Sequence, residues 1–507
     1  MRLRGAAALC LTALAPVAWA QQQLDTGQRS TGLIIQPRLG VQVTATDNVM
    51  LTHNGDDALI TSVTPGISLV SRGGRFVGML DYSLSSILYT KTEQGNRFQQ
   101  ALRASGSVDV IENTFQVDAV ANISQQSISA LGAQTSDSSL GGLNRTEVAT
   151  LTVSPLLHGR IGPLALFELR GTLGESRTKN NTLGNVQQTG GSLNLTGPNP
   201  GIVNWFATLS DQRSQFRGYD NDSRSTQAYA GLRFVPDVDV MFSLNGGRER
   251  SNYLSGTEET SALWGGSVTW APSPRTKVAA DWMRHNYGNS HSFNIEHRLA
   301  RSAFRYTDTQ AVSQLPQVGQ VSLGSVYDLL FQQYASIEPD PVKRDALVRA
   351  FLSSNGINPD SQLVSRVLTN APSIQRSQQL SYTFTGVRMS FVLSASGGWT
   401  NRLGTTTVVS GDLSNFQRIV QRGVSGTVTH KVSPLSTLGL SYGVIHNSGE
   451  GGTTTIANNI QLRTATLSLQ TQLALRTQLS VLLRHAQSDG ATSYRENALT
   501  ANLVQTF

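Results

Sequence analysis

The chain has 507 residues, of which 38% are hydrophobic and 14% charged, with a formal net charge of +7 and a single cysteine. Both fractions are low for a soluble globular enzyme, and neutral polar and small residues fill the difference. The mild positive balance points to anionic partners such as lipopolysaccharide or acidic glycans.

The amino terminus carries an export signal. Arg2 and Arg4 form a short positive region, Gly5 to Val17 is apolar but too short to span a bilayer, and Ala18-Trp19-Ala20 is a cleavage site of the A-x-A kind before Gln21. Residues 1–20 are therefore expected to leave as a signal peptide, with Ala18 and Ala20 directing cleavage, and 21–32 to form a short periplasmic segment. Cleavage takes away Cys10, so the mature chain is expected to make no disulfide. It also takes away two positive charges, lowering the net charge to +5.

From residue 33 onward the sequence breaks into short stretches of period two separated by Gly, Asn, Asp and Ser. Leu467, Leu469, Thr471, Leu473 and Leu475 alternate with Ser468, Gln470, Gln472 and Ala474. Leu438, Leu440, Tyr442 and Val444 alternate with Gly439, Ser441 and Gly443. Trp264, Gly266, Val268 and Trp270 share one face with an aromatic at each end, as at the two interfaces of a membrane barrel. A soluble β-sandwich would bury the same faces, but sandwiches rarely string so many long hairpins together.

Connections alternate between tight and long. Tight ones include Ser71 to Gly74, Val235-Pro236-Asp237 and Arg476-Thr477-Gln478; long ones include Thr46 to Ala58, Gln125 to Arg145 and Asn401 to Asn415. Several descending strands are expected to close on proline, at Val153-Ser154-Pro155, Phe234-Val235-Pro236, Trp270-Ala271-Pro272 and Val432-Ser433-Pro434. Short periplasmic turns with longer outer loops are the rule for outer-membrane barrels. Residues 33–507 thus read as a transmembrane antiparallel β-barrel of about 22 strands, within a range of roughly 18 to 24, with both termini periplasmic. The closing strand, Arg495 to Phe507, carries Leu499, Leu503 and Phe507 in the pattern of a recognition signal for the barrel-assembly machinery.

One region departs from period two. Residues 325–372 turn helical, with Val326, Leu329, Leu330 and Tyr334 on one face. Asp340-Pro341 is a start signal, Ala346, Leu347, Ala350 and Phe351 follow, and Gly356 is a stop; Asn358-Pro359 repeats the start before Leu363, Val364, Val367 and Leu368. Parity puts this insert on the outer side, as a cap on the mouth or a plug in the lumen.

Chemistry is sparse. No nucleophile, base and orienter assemble from spacing, so the chain reads as non-enzymatic. His285, His291 and His297 are spaced by six, but Gly288-Asn289 turns the chain, and wetted strand histidines are favoured over a metal site. Tyr219-Asp220-Asn221-Asp222 resembles half a calcium loop without the later glutamate. No phosphate- or dinucleotide-binding glycine motif precedes a helix, so no cofactor is expected. Interleaved aromatic and basic residues such as Trp282 to Tyr287 fit a membrane girdle rather than a nucleic-acid surface. Arg248, Arg250, Arg284, Arg298, Arg301 and Arg305 stand as candidate lumen or rim contacts for anions, either solutes or lipopolysaccharide, unless Glu249 and Glu296 neutralise them.

A set of short motifs adds a resemblance. Ile35-Gln36-Pro37-Arg38 with Thr46-Asp47-Asn48-Val49, Pro65-Gly66-Ile67 with Leu80-Asp81-Tyr82, Trp270 to Thr276, His297 to Ser302, and Pro339-Asp340-Pro341 with Leu368-Thr369-Asn370 run through nearly the whole mature chain. In these it resembles the uncharacterised outer-membrane proteins of the PEP-CTERM/exosortase system of Gram-negative bacteria. That resemblance implies a barrel tied to exopolysaccharide production and surface-protein sorting, and supplies no catalytic residues. The expected role is a conduit or assembly component, with export components or exopolysaccharide as partners; the alternative is a general or solute-selective porin.

Overall fold

The computed structural model describes residues 32–507 apart from 91–94, 136, 138, 141–143, 180–182, 199–200, 218–221, 314–326, 328–329, 332–333, 335–337, 339–340, 355–367, 370–371, 405–410 and 453–457. Ala18, Ala20 and the rest of the export signal lie outside these residues, as do Tyr219 to Asn221 and much of the second half of the insert.

Twenty-two strands form one antiparallel sheet closed on itself. In chain order they are β1 Gly32–Thr46, β2 Ala58–Arg72, β3 Phe76–Tyr89, β4 Arg97–Ile111, β5 Phe115–Ser127, β6 Arg145–Ile161, β7 Ala165–Thr178 and β8 Val186–Thr196. There follow β9 Val203–Phe216, β10 Ser223–Asp237, β11 Val240–Ser251, β12 Glu259–Ser273, β13 Thr276–His285, β14 Gly288–Arg298 and β15 Ser302–Ser313. The last seven are β16 Ser373–Thr385, β17 Met389–Arg402, β18 Arg418–Lys431, β19 Ser436–Glu450, β20 Asn459–Ala474, β21 Thr477–Gly490 and β22 Tyr494–Thr506. Each strand pairs with its sequence neighbours, and β1 pairs with β22 from Arg38↔Thr506 to Thr46↔Ala498. Closure leaves no unpaired sheet edge, which a structure in hydrocarbon cannot tolerate.

Side-chain alternation divides the wall as period two requires. On β1, Leu39, Val41 and Val43 face outward and stay exposed, while Thr44 and Thr46 face the lumen and are buried. Trp264 (56% exposed) and Trp270 (48%) bracket the outer face of β12, and Trp264 meets Trp282 edge to face at 4.8 Å. The apolar residues of this protein therefore gather on its outside, the reverse of a water-soluble fold. The sandwich alternative fails because the described strands all belong to one closed sheet, and among the described residues no second sheet covers that face.

Turns at the periplasmic end are short, such as Val238-Asp239 and Pro274-Arg275. In one of them Asn113 takes a positive φ of 54°, a conformation asparagine tolerates better than most residues. Outer connections are mostly longer, with exceptions at β13–β14 and β21–β22. One expected closure is corrected: Pro155 does not end its strand. β6 continues to Ile161, with Pro155 opposite Val117. Its ring lies over Gly171 of β7, where a Cβ would meet Pro155 Cγ at 3.0 Å. A missing side chain on the neighbour accommodates the ring inside the sheet.

Candidate functional site

A barrel of this size would enclose a wide channel if nothing filled it. Among the described residues, two segments enter it. The first is the insert between β15 and β16, whose helix α1 spans Pro341–Ser354, starting where the Asp-Pro signal places it. Its described residues contact the inner face of the wall. Tyr327, Leu330, Val348 and Leu352 bury against Val392 on the inner face of β17. On the other side Arg349 Nη1 reaches Asp81 Oδ2 of β3 at 3.5 Å, and the Arg103 guanidinium of β4 stacks over the Tyr327 ring at 4.6 Å. β17 and β3 stand eight strands apart round the wall, so the segment bridges the lumen. Asp81 and Val392 both lie in the periplasmic halves of their strands.

The polar contact is a linked chain. Arg38 of β1 donates from Nη1 and Nη2 to both oxygens of Asp81 at 2.6 and 2.8 Å, in the bidentate geometry that suits guanidinium and carboxylate. Gly66 of β2 lies between them in the wall; a Cβ there would meet Arg38 Nε at 2.9 Å. On the helix, Arg349 Nε donates to Asp345 at 2.8 and 2.9 Å, and the Tyr327 hydroxyl donates to the same carboxylate. Burial, and then the Asp345 charge, push the Tyr327 phenol above its ordinary range, so it stays a donor.

The helical face expected from apolar spacing is shifted. Leu347 is 42% exposed, while Val348, Leu352 and Asp345 are buried. The inner wall is polar, so the helix turns a mixed face with Asp345 and Arg349 toward it rather than an apolar stripe. Val326, Leu329 and residues 358–367 lie outside the described residues.

The second filler is the connection 128–144 between β5 and β6. Leu140 is fully buried among Ile60, Ile87, Leu462, Ala486 and Tyr494, inner-face residues of β2, β3, β20, β21 and β22. Ala130 and Leu131 pack against Leu413 in the short helix α2, Asp412–Asn415, and against Phe416 and Ile419. Two carboxylates fix this connection. Asp412 accepts from Ser129 Oγ at 2.6 Å and the Ala130 N–H at 2.7 Å; burial nonetheless pushes it above the ordinary carboxylate range. Asp137 is also pushed up by burial, but Arg484 at 3.1 Å and Ser139 more than offset this and hold it below that range. Arg484 in turn donates to Glu496 at 2.9 and 3.1 Å, and all three groups are nearly sealed from solvent. The spacing predicts only a long outer connection over 125–145. The signal it missed was Ile128, Leu131 and Leu140, apolar residues in a segment that would be polar if it faced water.

The six candidate arginines separate into three places. Arg248, Arg250 and Arg284 stand on the outer face at the extracellular ends of β11 and β13, level with or above Trp264. Arg298 and Arg301 lie at the periplasmic end, Arg298 Nη2 donating to the Pro274 carbonyl at 3.2 Å. Of the six only Arg305 faces the interior near the helix, donating to Asn294 Oδ1 at 3.2 Å. A single anion-selective lining from all six is thus ruled out. Glu249 does not neutralise its neighbours Arg248 and Arg250, because it points to the opposite face; Arg250 pairs with Glu258 instead, and Glu296 lies 3.5 Å from Arg298. Leu499 and Leu503 face lipid, and Phe507 donates its N–H to the Pro37 carbonyl at 2.9 Å.

The three spaced histidines go to different partners: His285 to Glu249, His291 to Asp308 and His297 to Thr276. Among the described residues no group of His, Cys, Asp or Glu gathers as for a metal ion. His285 does complete a chain that spacing concealed, with Nδ1 3.0 Å from Glu249 Oε2 and Nε2 2.8 Å from Ser290 Oγ. That is the connectivity of a charge relay. Here Glu249 is fully enclosed and also accepts from Ser225 and Gln227, and Tyr287 stacks on the imidazole at 4.6 Å. The chain clamps β10, β11, β13 and β14 together beneath the outer loops.

Comparison by sequence, against family models and against curated proteins, finds no match. Among solved structures, the apoprotein form of the FrpB iron transporter from Neisseria meningitidis aligns with TM-score 0.49 and 8% identity over 93% of this chain and 81% of that one. A ferric enterobactin receptor, PfeA, from Pseudomonas aeruginosa gives 0.47 and 8% over 94% and 81%. The outer membrane protein opdK from the same organism gives 0.33 and 10% over 94% and 98%. These likenesses assign no ligand or activity to this chain. Its own closed 22-stranded wall, apolar outside and polar within, makes it an outer-membrane β-barrel protein.

Proposed function

We propose that the protein is a non-enzymatic envelope component, a stoppered conduit or assembly partner serving exopolysaccharide export and the PEP-CTERM/exosortase surface system. The observation that carries the conduit reading is the helix α1 held across the lumen by side-chain contacts to Asp81, Arg103 and Val392. Such a tether is suited to a passage that opens on demand. The link to exopolysaccharide rests on the sequence motifs that resemble the PEP-CTERM-associated proteins. Deletion of the gene is expected to alter surface polysaccharide or the display of PEP-CTERM proteins; an unchanged surface would sink that link.

The alternative, a solute-selective porin, is favoured by the inward course of 128–144, since a loop folded into the barrel narrows a pore without sealing it. Planar-bilayer recordings separate the two. The stoppered reading expects little steady conductance from the intact chain and large, stable steps once 325–372 is replaced by a short linker. Comparable conductance from both forms would favour the porin.

A further inference from the structure

One sector of the outer wall is built in layers. Cross-strand register sets Leu440, Leu467, Leu483, Leu499, Ala45 and Leu59 side by side across β19, β20, β21, β22, β1 and β2. The five leucines are 42–56% exposed and face lipid. The next outward-facing row toward the extracellular end is Tyr442, Ala465, His485 and Asn497, and the one above is Val444, Arg463, Gln487 and Arg495. Successive rows on one face are about 7 Å apart. An open groove of about 800 Å³ runs over the lower two rows, where Ala465 and Ala45 leave space between the leucines.

The polar groups at the head of the groove are partly committed and partly free. Asn497 gives its N–H and Nδ2 to Asp47, both at 2.7 Å, so its Oδ1 accepts from His485 Nδ1 at 2.7 Å. With Nδ1 as the donor, Nε2 of the neutral imidazole is an acceptor, suited to a sugar hydroxyl rather than a phosphate oxygen. Among the described residues Arg495 has no carboxylate partner, and Arg463 meets only the Gln461 amide oxygen at 3.2 Å. Both arginines are exposed. The Asp47 charge remains beside His485, but its hydrogen-bonding capacity is turned toward β22.

We propose that this sector binds lipid A in the outer leaflet, with an acyl chain in the groove across Ala465 and a phosphate held by Arg463 and Arg495. The order of the layers matches the molecule: hydrocarbon below, a hydrogen-bonding row at the sugar level, cations at the phosphate level. Arg463 and Arg495 flank Gln487, two strands or about 10 Å apart, a spread that suits a broad sugar headgroup bearing several chains. Guanidinium forks are matched to phosphate oxygens. The extracellular end of the barrel is the end that meets lipid A.

The test uses the purified full-length chain in detergent, stripped of lipopolysaccharide, with binding followed by native mass spectrometry. The ligands are bisphosphorylated lipid A, the same lipid A without its phosphates, and phosphatidylglycerol. Tightest binding is expected for bisphosphorylated lipid A, weakening as salt rises. Loss of both phosphates, or the double substitution Arg463→Gln and Arg495→Gln, is expected to weaken it roughly tenfold or more. Ala465→Trp, which fills the groove while leaving the arginines, is expected to weaken it too. Unboiled gel migration and circular dichroism check that each variant is a folded barrel. Equal binding of dephosphorylated lipid A overturns the proposal with no variant needed. Equal binding of phosphatidylglycerol overturns the assignment to lipid A, and an unaffected double variant overturns the site.

Discussion

Arg38, Gly66 and Asp81 show how one missing side chain can shape a site. The Arg38 guanidinium passes over Gly66 to reach Asp81 two strands away, and Asp81 in turn faces Arg349 on the helix. Any Cβ at 66 presses on the flexible end of Arg38, so the arginine moves rather than the sheet. Gly66→Val is therefore expected to free Asp81 from Arg38 and weaken the helix tether, seen as more frequent openings in single-channel records. Asp81→Asn should go further, because Arg38 loses hydrogen bonds to a charged acceptor, about 1.5–3 kcal/mol each, and Arg349 loses its ion-pair partner. Recordings identical to the parent protein would remove the tether from the gating argument.

Arg484 is a second residue-scale case. It is sealed between Glu496 and Asp137, so Arg484→Met would leave two buried carboxylates unpaired. Removing one partner from such a cluster costs about 3–5 kcal/mol. Urea unfolding in detergent is expected to show a clear fall in midpoint, partly restored by adding Glu496→Gln. A midpoint within error of the parent would mean that water already reaches the cluster.

At the scale of an element, the connection 128–144 is held by two aspartates that titrate in opposite senses. Asp137 is depressed in the folded protein, so its stabilisation is present above the ordinary aspartate pKa and is lost as pH falls through the lower folded value. Asp412 is raised, so its anchorage is relatively favoured as pH falls below its folded value. Hydrogen exchange along 128–144 should thus stay slow through mild acidification and quicken only below the ordinary aspartate range, beginning near Asp137. Asp137→Asn should quicken it at neutral pH, and Asp412→Asn should leave it slow. The reverse ranking would show that Asp412, not Asp137, anchors the connection.

The helix α1 makes a different point about elements. Its start at Asp340-Pro341 is written in the chain, because proline at the first turn needs no hydrogen-bond partner. Its buried face is not. Val348 and Leu352 pack inward while Leu347 does not, since the helix meets a wall carrying Asp81, Arg38 and Arg103 and must offer Arg349 and Asp345 alongside its apolar residues.

For the whole molecule, the outward apolar belt with tryptophans at its margins fixes how the barrel sits in the bilayer. Single-tryptophan variants retaining Trp264 or Trp270 are expected to be quenched most by lipids brominated near the headgroup. Strongest quenching near the bilayer centre for either would shift the belt.

Strand count, register parity, the two classes of connection and the place of the insert in the chain all followed from the sequence, because each strand must alternate lipid-facing and lumen-facing side chains and that period is local. What fills the interior did not. The course of 128–144, the face by which the helix meets the wall, the layering of Leu467, Ala465 and Arg463 beside their cross-strand partners, and the meeting of His285 with Glu249 all join residues distant along the chain. Those meetings depend on which strands stand beside or across from one another once the sheet closes, and a periodic pattern read along one strand carries no record of its neighbours.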